Sequence, residues 1–168
     1  HDPAFINLMA GTIGALEARD GVVAILGNHD YYTDARAITS ALRRAGVRVL
    51  VNDALHLRKD DGGGFALLGV DDYMGPRSER TAGPQLELAI EKAPRDCARI
   101  LLAHQPRFFE ESAGQIALQL SGHTHGGQIN PGITPARLFM EFVKGRYERS
   151  GSSLWVNRGF RSEEHTSE

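Results

Sequence analysis

The sequence has little cysteine, no long apolar run and no large excess of one charge. Cys97 is the single cysteine among 168 residues, which excludes an internal disulfide and a zinc site built from several cysteines. No apolar run approaches the roughly 20 residues that span a bilayer. Any metal must therefore be bound by nitrogen and oxygen ligands, and no membrane-spanning helix is expected within this sequence.

Charge and size restrict the possible classes further. The 21 acidic residues against 19 basic ones give a formal charge of -2, so the sequence lacks the cationic character that binding to nucleic acid phosphates requires. Nucleic acid is therefore not an expected partner. With 41% hydrophobic residues, the length suits one domain with a single buried core.

Short β-branched runs alternate with amphipathic segments, which predicts the α/β class. The predicted strands cover 21–26, 47–51, 55–58, 65–70, 99–103 and 116–121. The predicted helical segments cover 5–19, 34–45, 84–93 and 106–111. Two hairpins are expected: one joins the strands at 55–58 and 65–70, and the other joins two last strands at 145–149 and 154–157.

Four histidines directly follow predicted strands, and they are His29, His104, His123 and His125. In open α/β sheets the carboxyl ends of the strands face a shared crevice, so loops after different strands converge on one site. The sequence therefore predicts a histidine-rich site at this edge of the sheet. His56 instead lies within a predicted strand and is expected to be structural or exposed.

The first cluster is Gly-Asn-His-Asp at 27–30, directly after a buried-strand pattern. Asn28 offers an amide oxygen, and Asp30 is placed to hydrogen-bond and orient His29. This combination favours a metal ligand beside a general acid. Taken alone, the tetrapeptide is also compatible with an Asn-containing turn around a structural histidine.

The other two clusters follow later strands. His104 precedes Pro106, which can start a helical turn, although a single histidine at a strand end is also compatible with a structural role. The segment Gly-His-Thr-His-Gly-Gly at 122–127 is more specific. Residues two apart in an extended segment point to opposite sides, so His123 and His125 can each bind a different metal. The flanking glycines allow close approach of backbone and metal.

These motifs, in this order and at strand ends, resemble those of the calcineurin-like metallophosphoesterase family over nearly all of 22–160. The run GHTHGGQI at 122–129 is most similar to a bacterial branch that includes membrane-associated phosphoesterases and some UDP-diacylglucosamine hydrolases. The resemblance implies a β-sandwich flanked by helices in α/β/β/α layers. It also implies hydrolysis of phosphoester or pyrophosphate bonds by two divalent metal ions, Mn, Fe or Zn, with a bridging hydroxide.

The resemblance also implies roles for individual residues. Asn28, His104 and His123 would bind one metal, and His125 would contribute to the other. His29 would be the general acid, supported by Asp30. The implied substrate is a phosphorylated small molecule or a lipid-linked compound, handled in a bacterium by a cytoplasmic or peripherally membrane-associated protein. A non-catalytic metal-binding scaffold on the same fold remains the alternative.

Further expectations concern the ends of the chain and the crevice. The family's Asp-x-His and Gly-Asp motifs are absent before Gly27, so 1–160 is expected to be the C-terminal part of one domain, incomplete and inactive by itself. The residues 161–168 resemble a translated sequencing-library adapter and are expected to be a non-native tail. Asp71, Asp72 and Tyr73 end the strand at 65–70 and are expected to border the crevice.

Overall fold

A computed structural model describes residues 3–58, 60, 62–78, 81–127 and 141–159. The predicted tail at 161–168 and the end of the GHTHGGQI run lie outside these residues. The described helices are α1 (Pro3–Gly14), α2 (Asn28–Thr33), α3 (Ala35–Arg44), α4 (Gly75–Ser78), α5 (Leu86–Glu91) and α6 (Phe109–Ser112). The strands are β1 (Val23–Ala24), β2 (Arg48–Val49), β3 (Asp53–Arg58), β4 (Gly64–Gly69), β5 (Ala98–Leu102), β6 (Leu118–Ser121), β7 (Gly145–Arg149) and β8 (Ser152–Val156).

The strands form two sheets. β1 and β2 pair in parallel, and the other strands form a sheet in the order β3-β4-β5-β6-β8-β7. β4, β5, β6 and β8 run parallel to one another, whereas β3 and β7 pair antiparallel at the two edges. The loops after the parallel strands therefore lie along one edge of the sheet, and the predicted α/β fold class is confirmed.

The two sheets approach each other closely at Gly69 in β4. A Cβ atom at this position would lie 2.4 Å from Leu50 Cβ and 3.0 Å from Ile25 Cγ2. Leu50 and Ile25 directly follow β2 and β1. A side chain at position 69 would therefore push the sheets apart, which explains a glycine in a buried strand.

Two hydrophobic clusters hold these layers together. One lies under the six-stranded sheet and contains fully buried Leu68, Leu101, Phe109 and Leu154. The other packs α1 and α3 onto the small sheet, because α3 turns Ile38 and Leu42 and its other apolar residues toward the core. Asp34 caps the start of α3 by accepting a hydrogen bond from Ala37 N at 2.9 Å.

Several predicted elements were too long. The strands predicted at 21–26 and 47–51 have two residues each, because only these residues find ladder partners in the described part of the chain. The helix predicted at 5–19 ends at Gly14, where the chain passes so close to Ala45 that a Cβ would lie 2.7 Å from it. None of the described helices is long and apolar enough to cross a bilayer.

The structure also contains a short helix, α2, that the sequence analysis did not predict. It follows β1 directly and covers the first histidine cluster. Its start is stabilised by Asp30, whose Oδ2 accepts a hydrogen bond from Gly27 N at 2.7 Å. The cluster at 27–30 is therefore the first turn of a helix, and this fixes the direction of Asn28 and His29.

Candidate metal centre

Three of the predicted ligands meet at the carboxyl ends of three strands. Asn28 opens α2 after β1, His104 follows β5, and His123 follows β6. β5 and β6 are parallel neighbours, so their following loops start side by side. The convergence expected from the strand-end positions is present for these three residues.

The three side chains form a tight triangle of donor atoms. His104 Nε2 lies 2.9 Å from Asn28 Oδ1, and His123 Nδ1 lies 3.2 Å from the same oxygen. The two ring nitrogens are 3.1 Å apart, and the rings meet edge to face with centroids separated by 5.0 Å. Each of the three atoms therefore faces the other two at hydrogen-bond distance.

Hydrogen bonds alone cannot satisfy this triangle. If both ring nitrogens carry protons and donate to the amide oxygen, their two N–H groups also face each other at close distance. If one ring nitrogen carries no proton, that nitrogen cannot donate a hydrogen bond to the amide oxygen. A divalent cation accepts all three lone pairs at once, and ligands with bonds of about 2.0–2.1 Å lie about 3.0–3.4 Å apart. The donor set fits a metal ion.

The chemistry of this donor set is nitrogen and neutral oxygen. Within the described residues no three His, Cys, Asp or Glu side chains are grouped to hold a metal, since the third member here is an amide. Imidazole and oxygen ligands suit Mn, Fe or Zn, and they leave further positions for other ligands.

Both histidines are held in the neutral form that binds metals. Burial, followed by the charge of His123, lowers the pKa of His104 to about 4, while Asp72 acts in the opposite direction. Burial also lowers the pKa of His123, again opposed by Asp72. Little proton competition is therefore expected at neutral pH.

Gly27 provides the space that His104 occupies. A Cβ atom at position 27 would lie 2.8 Å from both Cε1 and Nδ1 of the His104 ring. The ring is fixed on its other side by Asn28 and His123, so it cannot move away without leaving the triangle. This glycine is required by close approach and not by an unusual backbone angle.

We expect Gly27→Ala to lower the affinity for Mn²⁺ about 10- to 100-fold, the range typical of changes that displace a metal ligand without removing it. Isothermal titration calorimetry of the full-length protein that contains this chain measures the effect. Gly122→Ala is the matched control, because a Cβ at this position meets nothing within 4 Å. Equal affinities for the two variants would contradict the packing argument.

The predicted general acid, His29, lies at the rim of the triangle. It is exposed on the first turn of α2, and its ring meets the edge of Tyr32 with centroids 5.7 Å apart. Asp30 caps the helix through Gly27, and among the described contacts its carboxylate makes no hydrogen bond to His29. Burial raises the pKa of Asp30. The expected orientation of His29 by a bond from Asp30 is therefore not seen, and the catalytic role of both residues stays a prediction.

The segment containing His123 and His125 is a turn, and the predicted extended conformation is wrong. Both histidines have positive φ angles, 69° and 46°, and Thr124 between them is buried with its hydroxyl donating to Val143 O at 2.6 Å. This buried bond fixes the turn and points His123 into the triangle. His125 is exposed and lies outside the triangle. Its charge is one of the smaller causes that lower the pKa of His104 and of His123. Such positive φ angles are uncommon in residues other than glycine.

Sequence reasoning missed the link between Gln105 and Asp72. Asp72 is buried just after β4, and both of its carboxylate oxygens accept from Gln105 Nε2, at 3.0 and 3.1 Å. Gln105 is the neighbour of His104, so this bond ties the His104 loop to the end of β4. The only sequence signal was the position of Asp72 at the same edge of the sheet.

A cavity of about 720 Å³ opens beside the triangle. His123 lines it together with Tyr73 from the loop after β4 and Arg107 from the 3₁₀ turn Pro106–Phe108. Tyr73 was expected to border the crevice, and the structure places it there. The cavity gives a molecule bound at the triangle room to extend.

Comparison with known proteins finds relatives named metallophosphoesterases. The chain is 35% identical over 147 residues to an uncharacterized metallophosphoesterase from Helicobacter pylori strain J99, covering 86% of this chain and 38% of the relative. A relative of the same description from Aquifex aeolicus is 34% identical over 157 residues, covering 92% of this chain and 58% of the relative. A bovine transmembrane protein with metallophosphoesterase domain is 36% identical over 157 residues, covering 88% and 35%.

The chain thus spans between about one third and three fifths of the length of these relatives. No protein-family model matches the chain, and no solved structure does. The similarity covers the strand ends that carry Asn28, His104 and His123, which the structure brings together. On these matches and this geometry, the chain belongs to the calcineurin-like metallophosphoesterase family.

Proposed function

We propose that the full-length protein hydrolyses phosphoester or pyrophosphate bonds with two divalent metal ions. The observation that supports this most strongly is the triangle of Asn28 Oδ1, His104 Nε2 and His123 Nδ1, whose sides measure 2.9 to 3.2 Å. The relatives, all named for phosphoester hydrolysis, support the same reaction class.

The triangle would hold one ion, and His125 would contribute to a second. Bound ions of this kind act as Lewis acids on the phosphoryl group and lower the pKa of an attacking water. The residues of this chain then have two tasks. The partly buried His104 and His123 keep their lone pairs available at neutral pH. The exposed rim presents His29, which can exchange a proton with substrate.

His29 is the proposed proton donor at this rim. It follows the ligand Asn28 directly on α2, so its position relative to the ion is fixed by the helix. A ring N–H of the charged imidazole donates its proton to the leaving ester oxygen as the bond to phosphorus breaks. General acid catalysis of this kind contributes typically about 100- to 10,000-fold in rate.

We therefore expect His29→Gln to lower kcat by about 100- to 10,000-fold while metal content is unchanged. The assay is hydrolysis of p-nitrophenyl phosphate and bis-p-nitrophenyl phosphate by the full-length protein with Mn, Fe, Zn or no metal. His56→Gln is the control, since His56 lies in β3 and contacts Arg58. A metal-loaded wild type without turnover on these and on pyrophosphate substrates would favour the non-catalytic scaffold.

The proposed substrates are phosphorylated small molecules or lipid-linked phosphates. Two relatives, from cattle and zebrafish, are named transmembrane proteins with a metallophosphoesterase domain. These names support an association of the full-length protein with a membrane, which we propose to be peripheral. Sedimentation with vesicles of anionic and neutral lipids tests this association.

A further inference from the structure

Arg107 is the only permanently charged cation among the described residues that line the cavity beside His123. It is the exposed residue of the 3₁₀ turn that follows His104, so the same loop carries a proposed metal ligand and this arginine. Arg107 and the proposed ligand His123 line the same cavity. The guanidinium is therefore close enough to act on a group bound at the triangle.

The guanidinium is held in place by an aromatic platform. Its central carbon lies 3.9 Å from the centre of the Tyr73 ring, in stacking distance over the face. Tyr73 is itself fixed, because its hydroxyl donates to Glu111 Oε1 at 2.5 Å and its ring meets Phe108 edge to face. Stacking uses the face of the guanidinium and leaves the N–H groups at its rim available.

Two of the three carboxylates in the described cavity wall have other partners. Glu111 accepts the hydrogen bond from Tyr73, and Glu141 pairs with Arg149. In the part of the chain that the structure describes, no carboxylate forms an ion pair with Arg107. Stacking on Tyr73 therefore holds its fork of donors in place, and no described carboxylate pairs with it.

We infer that Arg107 is a substrate-binding residue that binds anionic phosphoryl oxygens in this cavity and favours dianionic phosphate groups over diesters with one negative charge. This inference rests on the proposed phosphoester hydrolysis. The planar guanidinium matches two oxygens of a phosphoryl group at once. A monoester dianion has three terminal oxygens that share two negative charges, whereas a diester has two that share one, so the guanidinium attracts the monoester more strongly.

Glu110 adds a charge of the opposite sign to the same wall. It is exposed, lines the cavity and follows Arg107 by one helical turn. Its carboxylate repels a dianionic substrate more than a monoanionic one. The variant Glu110→Gln is therefore expected to change substrate preference in the opposite direction to the loss of Arg107.

The kinetic test compares two substrates in the full-length protein with Mn²⁺. Arg107→Ala is expected to lower kcat/KM for p-nitrophenyl phosphate about 10- to 100-fold and for bis-p-nitrophenyl phosphate by less than about 3-fold. Arg107→Lys is expected to recover part of this loss, and Glu110→Gln to raise the value for the monoester. Arg146→Ala is the control, because Arg146 pairs with Glu148 on β7, away from the cavity lining.

A binding measurement separates this inference from the proposed reaction. Inorganic phosphate is titrated into the Mn²⁺-loaded protein, and we expect Arg107→Ala to weaken its Kd about 10-fold while Arg146→Ala leaves it unchanged. Equal losses on both substrates with an unchanged phosphate Kd would overturn the role of Arg107 and assign it to packing on Tyr73. A wild type that binds phosphate through Arg107 but hydrolyses neither substrate would refute only the proposed reaction.

Discussion

His123→Ala is expected to abolish metal-dependent hydrolysis by the full-length protein, a loss of more than about 1,000-fold, because it removes one corner of the donor triangle. His123 Nδ1 is within hydrogen-bond distance of both other corners, so no neighbouring atom replaces it. Activity with Mn, Fe and Zn, together with metal content by mass spectrometry, measures the loss. Activity near the wild-type level with normal metal content would exclude His123 as a ligand.

The fold should survive this substitution. His123 is only partly buried and its ring makes its contacts within the triangle, whereas the turn around it is held by the buried bond from Thr124 to Val143 O. The urea midpoint is therefore expected to change little. His56→Ala serves as the control, since it removes an imidazole from β3 and should leave both metal content and activity intact.

The three triangle residues could be predicted from sequence for a physical reason. Short buried strands are recognisable by their apolar runs, and the parallel arrangement brings the residues that follow them to one edge. Asn28, His104 and His123 each come directly after such a run, so their convergence does not depend on details of packing. The order of the strands was not needed to expect that these side chains would meet.

The contacts made by the residues around the triangle could not be predicted, because they depend on tertiary packing. Gln105, in the loop after β5, donates a hydrogen bond to Asp72, in the loop after β4. Between the same two loops, the guanidinium of Arg107 stacks on the ring of Tyr73. None of the motifs that point to the site shows which of these residues contact each other. Their roles follow only from the distance between the loop after β4 and the loop after β5.

The backbone conformation of two segments also could not be predicted from the sequence. The segment around His123 and His125 was expected to be extended, but the buried hydroxyl of Thr124 and the neighbouring glycines form a turn. The cluster at 27–30 was interpreted as a loop, yet the bond from Gly27 N to Asp30 starts a helix. In both segments, one hydrogen bond between a side chain and the backbone decides the conformation. Such bonds leave no periodic pattern of apolar residues in the sequence from which they could be predicted.

The second large expected effect is a loss of stability on removing the buried ring of Phe109. Phe109→Ala is expected to lower the free energy of unfolding by about 3–5 kcal/mol, the cost of deleting a buried aromatic ring and leaving a cavity. Phe109 is fully buried under the six-stranded sheet, and its ring meets Phe142 edge to face with centroids 5.7 Å apart. Urea denaturation followed by circular dichroism measures the change.

Phe5→Ala provides the matched control for this substitution. Phe5 lies on α1 with 65% of its surface exposed, so its removal is expected to cost less than about 0.5 kcal/mol. Similar losses for the two variants would show that α6 does not pack against the core as described. Because Phe142 lines the cavity beside His123, the gap left by Phe109 also reaches the substrate space. We therefore expect the folded fraction of Phe109→Ala to have a raised KM and an unchanged metal content. This result would link the stability of the core to the shape of the site.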